Sequence, residues 1–196
     1  MHYTAMDCAQ KARDWLCHDD AQVSAHYVIA PDGTIWHLVD EADRAWHAGA
    51  GAWGPVTDVN SRSIGIEIAN SGATPFAAPQ MDALETLVGA IMARHAIPPE
   101  RVIGHSDMAP GRKIDPGARF DWQRLARHGL AVWPDAQGTG DFLRNARCFG
   151  YTADVQPDTL LHSFRLRFRP GATGPLDDTD RALMADLAHR WPVAPA

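Results

Sequence analysis

Cysteine is scarce in this 196-residue chain: Cys8, Cys17 and Cys148 are the only three. No two of them form a C-x-x-C pair, and three are too few for a disulfide framework at this length. They read as buried or incidental thiols. Basic charge is short as well, since 18 Lys plus Arg stand against 24 Asp plus Glu for a net charge of −6. That balance leaves no electrostatic footprint for duplex nucleic acid. No apolar run approaches the roughly 18 residues of a membrane span, and the N-terminus lacks the basic, apolar, small-residue order of a signal peptide. As written, the chain is therefore expected to be cytoplasmic; a segment upstream of Met1 carrying an export signal would instead place it in the cell envelope or periplasm. A Gly-rich phosphate loop after a strand is also missing, which sets aside a nucleotide or nicotinamide enzyme. Lysine is the rarest cation, with Lys11 and Lys113 alone beside 16 arginines.

What the chain does have is a substantial apolar fraction, 45%, enough for one medium domain or a domain plus a small module. Glycine and proline punctuate it as far as Pro134, after which the pattern changes to short helical stretches. A boundary near Asp135 to Gly140 follows. Before it, Asp7 to Cys17 reads as a helix, and His26 to Ala30 with Thr34 to Leu38 reads as a hairpin turned at Pro31-Asp32-Gly33. Over Ser63 to Ala69, alternation sends Ile64, Ile66 and Ile68 to one face and Glu67 to the other. Met81, Leu84, Val88, Ile91, Met92 and His95 follow helical spacing, stopped by Pro98-Pro99 ahead of a short apolar strand at Val102 to Gly104. A further helix over Asp121 to His128 ends at Gly129. Strands interleaved with helices predict an α/β domain with a mixed central sheet flanked by helices. In the tail, three amphipathic helices with Arg-rich polar faces are expected around Phe142 to Phe149, Leu160 to Phe168 and Leu183 to Trp191. The stripe Leu160, Phe164 and Phe168 reads as core, and the terminal Pro192 to Ala196 segment is expected to fray.

Ten histidines invite a search for a metal site, because His is both the near-neutral proton switch and the commonest metal ligand. A hydrolytic zinc takes three protein ligands and keeps a fourth position for water. His2, His26, His37, His47, His105, Asp107 and Asp115 all sit at strand ends or in tight loops, and spacing does not choose among them.

The order of short motifs does more. His2-Tyr3-Thr4-Ala5, Val23-Ser24-Ala25-His26-Tyr27, Asp32-Gly33-Thr34-Ile35, Ala45-Trp46-His47-Ala48-Gly49, Ser63-Ile64-Gly65-Ile66-Glu67, Gly104-His105-Ser106-Asp107 and Gly111-Arg112-Lys113-Ile114-Asp115-Pro116-Gly117 succeed one another along the chain. Together they resemble the zinc-dependent N-acetylmuramoyl-L-alanine amidases, a family that includes the peptidoglycan recognition proteins and phage-type amidases. The resemblance covers Met1 to about Pro134. The stretch from Phe142 through Phe164-Arg165-Leu166-Arg167-Phe168-Arg169-Pro170 to Trp191 resembles, more loosely, the three-helix peptidoglycan-binding module carried by one branch of these amidases. The implied organisation is a catalytic domain over 1–134 and a three-helix module over 140–192.

Carried over by motif, the resemblance implies zinc ligands at His2, His105 and Asp115. It implies Glu67 as the catalytic group that takes a proton from water and passes it to the leaving nitrogen, and Lys113 as the stabiliser of the oxyanion. His47, with Trp46 and Trp53, is implied to line the cleft for peptide and sugar. His26 reads as a histidine that hydrogen-bonds the site from behind, while His37 and Asp107 read as structural. One departure stands out: the family sets its first zinc ligand at the end of a strand, and only Met1 precedes His2. The supporting strand is therefore expected to be missing and His2 to be free to fray. The implied activity is zinc-dependent hydrolysis of the amide between N-acetylmuramic acid and L-alanine in peptidoglycan or muropeptides. The alternative, favoured by the missing strand, is a peptidoglycan-binding protein that does not cut.

Overall fold

The computed structural model describes residues 1–193. Residues 194–196, the end of the segment expected to fray, lie outside the described residues. Four short strands, β1 (His2–Tyr3), β2 (Tyr27–Ile29), β3 (Ile35–His37) and β4 (Ile66–Ile68), form one sheet in the order β1-β4-β2-β3. β1 and β2 both run parallel to β4, and β3 closes antiparallel on β2 through the turn at Pro31-Asp32-Gly33. The sheet is mixed, as the interleaving of strands and helices predicts.

The alternation in β4 explains how the sheet is anchored. Ile66 and Ile68 are buried and pack with Met81, Leu84, Val88 and Ile91 of α2 (Ala78–His95), the helix that follows α1 (Ala9–Leu16) in the chain. Fully burying each such aliphatic side chain contributes about 1.5–3 kcal/mol. Gln80, itself buried, donates from its amide to the carbonyls of Ile29 and Ala69, at 2.8 and 3.1 Å, and so ties the helix to the ends of two strands. Glu67, between the isoleucines, belongs to the other face.

Two expectations near the N-terminus need correction. The strand thought to be missing is present in brief form: His2 and Tyr3 are themselves β1, in register with Glu67 and Ile68. The Met1 ammonium donates to the Ile103 carbonyl at 2.9 Å, and the amide of His105 donates to the Met1 carbonyl at 3.1 Å. His2 is buried rather than frayed. Conversely, Val102 to Gly104 is not a strand. Pro99–Arg101 makes a 3-10 turn, and the residues after it share backbone–backbone hydrogen bonds only with Met1 and with their own turns, too few to build a ladder. A four-residue helix, α3 (His105–Met108), follows directly and was not expected. α4 (Trp122–Arg127) lies within the expected helix and leads into Gly129, whose φ of 71° is left-handed.

The tail forms α5 (Phe142–Phe149), α6 (Pro157–Phe168) and α7 (Asp178–Arg190). Phe142, Phe149, Phe164, Phe168 and Leu187 bury one core together with Ala48, Trp53, Val59, Met108 and Val132. The tail helices thus share their interior with the loops around α3. The Arg-rich face of α6 is not a solvated face, because Arg165 and Arg167 are buried. Arg165 pairs with Asp180 of α7 and also donates to the carbonyls of Gly174 and Pro175. Arg167 reaches Asp107 at 2.7 Å and the carbonyl of Val102 at 3.1 Å. Charges that would seek water in an isolated helix are paired here with groups distant in sequence, with Nε of Arg167 left as the one guanidinium nitrogen of the two residues that is buried without a partner.

Candidate active site and metal centre

Three elements bring three side chains to one point. β1 delivers His2, the N-terminal turn of α3 delivers His105, and the loop before Pro116 delivers Asp115, tied back by a 2.9 Å hydrogen bond from the Ser106 amide to the Asp115 carbonyl. All three are buried. Nδ1 of His2 lies 2.9 Å from Nδ1 of His105 and 2.9 Å from Oδ2 of Asp115, and the last two are 3.0 Å apart. Of the seven candidates that sequence spacing left open, this trio converges.

The donor chemistry of the cluster suits a cation. The far nitrogen of His105, Nε2, lies 2.8 Å from the Ala48 carbonyl, and the far nitrogen of His2 lies 3.1 Å from Nδ1 of His47. With those outward atoms engaged, each ring turns Nδ1 inward beside a carboxylate oxygen. Ligands about 2.0–2.1 Å from a tetrahedral zinc stand roughly 3.3 Å from one another, close to the spacing seen. Burial, reinforced by the adjacent N-terminal ammonium, pushes the His2 pKa well below its ordinary value, the condition a ligand needs. For Asp115, burial works toward a higher pKa, but the hydrogen bonds from His105 and His2 outweigh it and hold the carboxyl well below the usual range.

Glu67 stands beside this cluster with one buried carboxylate oxygen, Oε2, that meets no hydrogen-bond partner. Burial, with the nearby Asp115 charge second, pushes its pKa up to about 8; the N-terminal ammonium and Lys113 oppose the rise. Lys113 is exposed at the rim, and its amide donates to the Ala109 carbonyl at 3.0 Å. Exposed Ile114 separates it from Asp115. His47, its pKa lowered to about 3 chiefly by burial, lines a cavity of about 390 Å³ together with His2, His105, Trp53, Ile64 and Ile103. Glu67, Lys113 and Asp115 do not line it, so this cavity runs from the histidines toward α2 and lies apart from the side that carries the carboxylates. Trp46 is exposed, with the Arg44 guanidinium 4.3 Å from its ring centre.

The remaining candidates fall outside the cluster. Nδ1 of His26 accepts from the Gly65 amide at 2.9 Å, and its Nε2 lies 3.2 Å from the Asp43 carbonyl. His26 thus braces the approach to β4. His37 is exposed on β3 and stacks on Tyr27. Asp107 is buried, accepting from the Gly104 amide, the Arg167 guanidinium and the Tyr151 hydroxyl. Several contributors escaped sequence reading. The Met1 ammonium and the Ala48 carbonyl carry no side-chain signal. Arg112, which donates to the carbonyls of Ala48 and Ala50, and Ser63, beside His47, stand inside quoted motifs but show their partners only in the fold.

Comparison with known proteins places this arrangement. Residues 1–118 match the family model described as N-acetylmuramoyl-L-alanine amidase. The chain is 35% identical over 230 residues to the N-acetylmuramoyl-L-alanine amidase AmiD of Escherichia coli, covering 97% of this chain and 82% of that protein. It is 42% identical over 104 residues to the 1,6-anhydro-N-acetylmuramyl-L-alanine amidase AmpD of Haemophilus influenzae, covering 53% of this chain and 56% of that one. Among solved structures, it is similar to E. coli AmiD in complex with anhydro-N-acetylmuramic acid-L-Ala-D-gamma-Glu-L-Lys, at a TM-score of 0.87 and 34% identity, over 97% of this chain and 87% of that one. AmpDh3 of Pseudomonas aeruginosa in complex with anhydromuramic pentapeptide gives a TM-score of 0.87 at 32% identity, over 98% and 91%.

Proposed function

The chain belongs to the family of N-acetylmuramoyl-L-alanine amidases, and we propose that it acts there as a zinc enzyme on muropeptides, with the roles below for its own residues. It is a hydrolase of the amide between N-acetylmuramic acid and L-alanine. The observation that carries the zinc reading is the convergence of His2, His105 and Asp115 beside a buried carboxylate oxygen with no partner.

His2, His105 and Asp115 would hold the ion. Zinc in such a site supplies Lewis acidity toward the scissile carbonyl and lowers the pKa of water toward neutrality. The chain's own part is proton handling and charge. Glu67 takes the proton of the attacking water on its free Oε2 and passes it to the amide nitrogen, which leaves as the amino group of L-alanine. Burial raises the pKa of this carboxyl to about 8 in the metal-free chain, and beside a bound dication it is drawn back toward neutrality, the range that suits both halves of that transfer. Lys113, whose charge is felt at Glu67, steadies the negative oxygen formed when water adds to the carbonyl; an ammonium on a flexible stem at the rim suits that task. His47 contributes its ring to the wall beside the histidine cluster. The anhydromuramyl peptides held by two similar amidases support a soluble muropeptide as substrate. We assign these roles to 1–134 and treat 140–192 as an appended three-helix module.

The test is release of new L-alanine amino termini from an anhydromuramyl tripeptide and, separately, from peptidoglycan. Release by the zinc-loaded chain, abolished by a chelator and absent from Glu67→Gln despite retained zinc, is expected. Chelator-resistant release, or full activity in Glu67→Gln, overturns the assignment.

A further inference from the structure

A second cleft, of about 360 Å³, lies between α4 and α7. Gln123 and Arg127 of α4 line it, with Trp133 and Asp135 from the connecting segment and Arg190 and Trp191 at the end of α7. None of these residues belongs to the His2–His105–Asp115 cluster or to the cavity that runs toward α2. The walls come from both sides of the boundary after Pro134, so the cleft exists only because the tail docks. Junctions of this kind are a common place for ligand sites.

The walls are fastened to one another. The buried carboxylate of Asp186 accepts from the Asp135 amide at 2.9 Å and from Arg190 at 3.1 Å, which ties the connecting segment to α7. Arg190 also reaches Asp135 at 3.2 Å, and its guanidinium lies 4.0 Å from the centre of the Trp191 ring. Trp133 rests against Phe168 with ring centres 5.9 Å apart, and both indoles pack partly on the core of the tail. Gln123 and Arg127, one turn apart on α4, are exposed. With Arg190 held by two carboxylates, the ionic groups nearly cancel, and the cleft offers an anion little. It offers a polar ring more: two half-buried indoles whose N–H groups make no hydrogen bond among the described residues, a side-chain amide that both donates and accepts, a carboxylate that accepts, and the Arg127 guanidinium. Apolar faces beside convergent donors and acceptors match a pyranose, which has C–H faces and an edge of hydroxyl and acetamido groups.

We propose that the α4–α7 cleft is a second saccharide site that holds a neutral, N-acetylated hexosamine chain away from the reacting amide. The choice of an N-acetylated sugar rests on the amidase reading above. On a glycan that carries many stem peptides, a sugar held at this cleft raises the effective concentration of the neighbouring stems at the metal cluster. A soluble anhydromuramyl peptide with a single sugar engages the cluster alone and gains nothing from the cleft.

The probe is chitotetraose, a peptide-free oligomer of N-acetylglucosamine, titrated into the full zinc-loaded chain while the indole N–H signals of labelled tryptophans are followed. The Trp133 and Trp191 signals should shift, and those of Trp46 and Trp53 should not. In the double variant Gln123→Ala with Arg127→Ala, which alters only exposed side chains, chitotetraose should bind about tenfold more weakly and the KM for peptidoglycan should rise by a similar factor, with kcat and the KM for an anhydromuramyl tripeptide unmoved. Trp191→Ala should act in the same direction and Trp191→Phe should recover part of the loss; the double variant decides the matter if Trp191→Ala does not fold. Absence of any shift at millimolar chitotetraose, or equal binding by the double variant, overturns the proposal. So does a shift of Trp46 with competitive inhibition of tripeptide hydrolysis, which would put the sugar in the catalytic cleft. A chain that binds chitotetraose at Trp133 and Trp191 yet releases no L-alanine would overturn the amidase reading and leave the second site standing.

Discussion

His2 and Glu67 stand opposite one another across the parallel β1–β4 ladder. The residue assigned to hold the metal and the residue assigned to move the proton are therefore placed by one backbone register. A slip of β1 by one residue would turn His2 to the opposite face while β2 and the buried isoleucines keep Glu67 where it is. The two-residue strand that keeps this register has Thr4 donating to the Ile68 carbonyl at 3.3 Å on one side and the Met1 ammonium anchored on the other.

Glu67 should carry a stability cost that grows with pH. Its folded pKa, about 8, lies above the ordinary value of 4.5, so the folded metal-free chain binds the proton more tightly than the unfolded chain does. Stability contributed by the protonated group is full below about pH 4.5 and is lost as pH rises toward 8. Glu67→Gln should stabilise the chelator-treated protein at pH 8 by on the order of 4 kcal/mol, with little gain at pH 4, while lowering turnover by about 10²–10⁴-fold. Urea denaturation at both pH values reads the first effect; an equal gain at each would refute the burial argument.

Arg167 and Asp107 make an ion pair buried on both sides. Losing one partner strands the other charge, so Arg167→Met or Asp107→Leu should each cost about 3–5 kcal/mol. The double variant should recover part of that loss. Because Asp107 also accepts from the Gly104 amide at the start of α3, the single variants should weaken zinc binding through His105. Denaturation curves and zinc titration on all three chains check this, and single variants costing under about 1 kcal/mol would contradict it.

Gly65→Ala should disturb the site by shape alone. The added methyl would meet the His47 ring at 2.3–2.7 Å, so the ring must move, at a cost of about 1–3 kcal/mol. Zinc affinity should fall with it. A crystal structure of Gly65→Ala with His47 unmoved would show that the backbone yields instead.

Glu41 should govern part of the acid limit. Its carboxylate accepts from Arg94, Tyr27 and His95, and the Arg94 hydrogen bonds, working against burial, lower its pKa to about 2. That stabilisation is present above about pH 4.5 and is lost as pH falls through about 2. Glu41→Gln should be less stable than the parent at pH 6, with the difference shrinking toward pH 2. A difference independent of pH across that window would rule the carboxylate out as its source.

Much of this was readable in advance. The period-two pattern of Ile66 and Ile68 around Glu67 orients a strand without any knowledge of its neighbours, and the α2 spacing names its buried side. The motif order pointed to His2, His105 and Asp115 by resemblance. The strand at Val102 to Gly104 misled because an apolar run followed by glycine looks the same whether or not a partner strand exists. The Arg165 and Arg167 positions misled for a related reason: an arginine on an amphipathic helix reads as solvated until a carboxylate from elsewhere is seen to reach it.

The amino-acid order by itself determined the local conformations, the alternation that presents Glu67, and the set of side chains able to bind a metal, because these depend on neighbours a few positions apart. Only the tertiary structure decided which candidates meet, that His26 braces while His47 bonds to His2, and that Arg167 of the tail grips the segment carrying His105. Those outcomes depend on hydrogen-bond partners dozens of residues away, and on which of several polar atoms is left without one once the chain has closed.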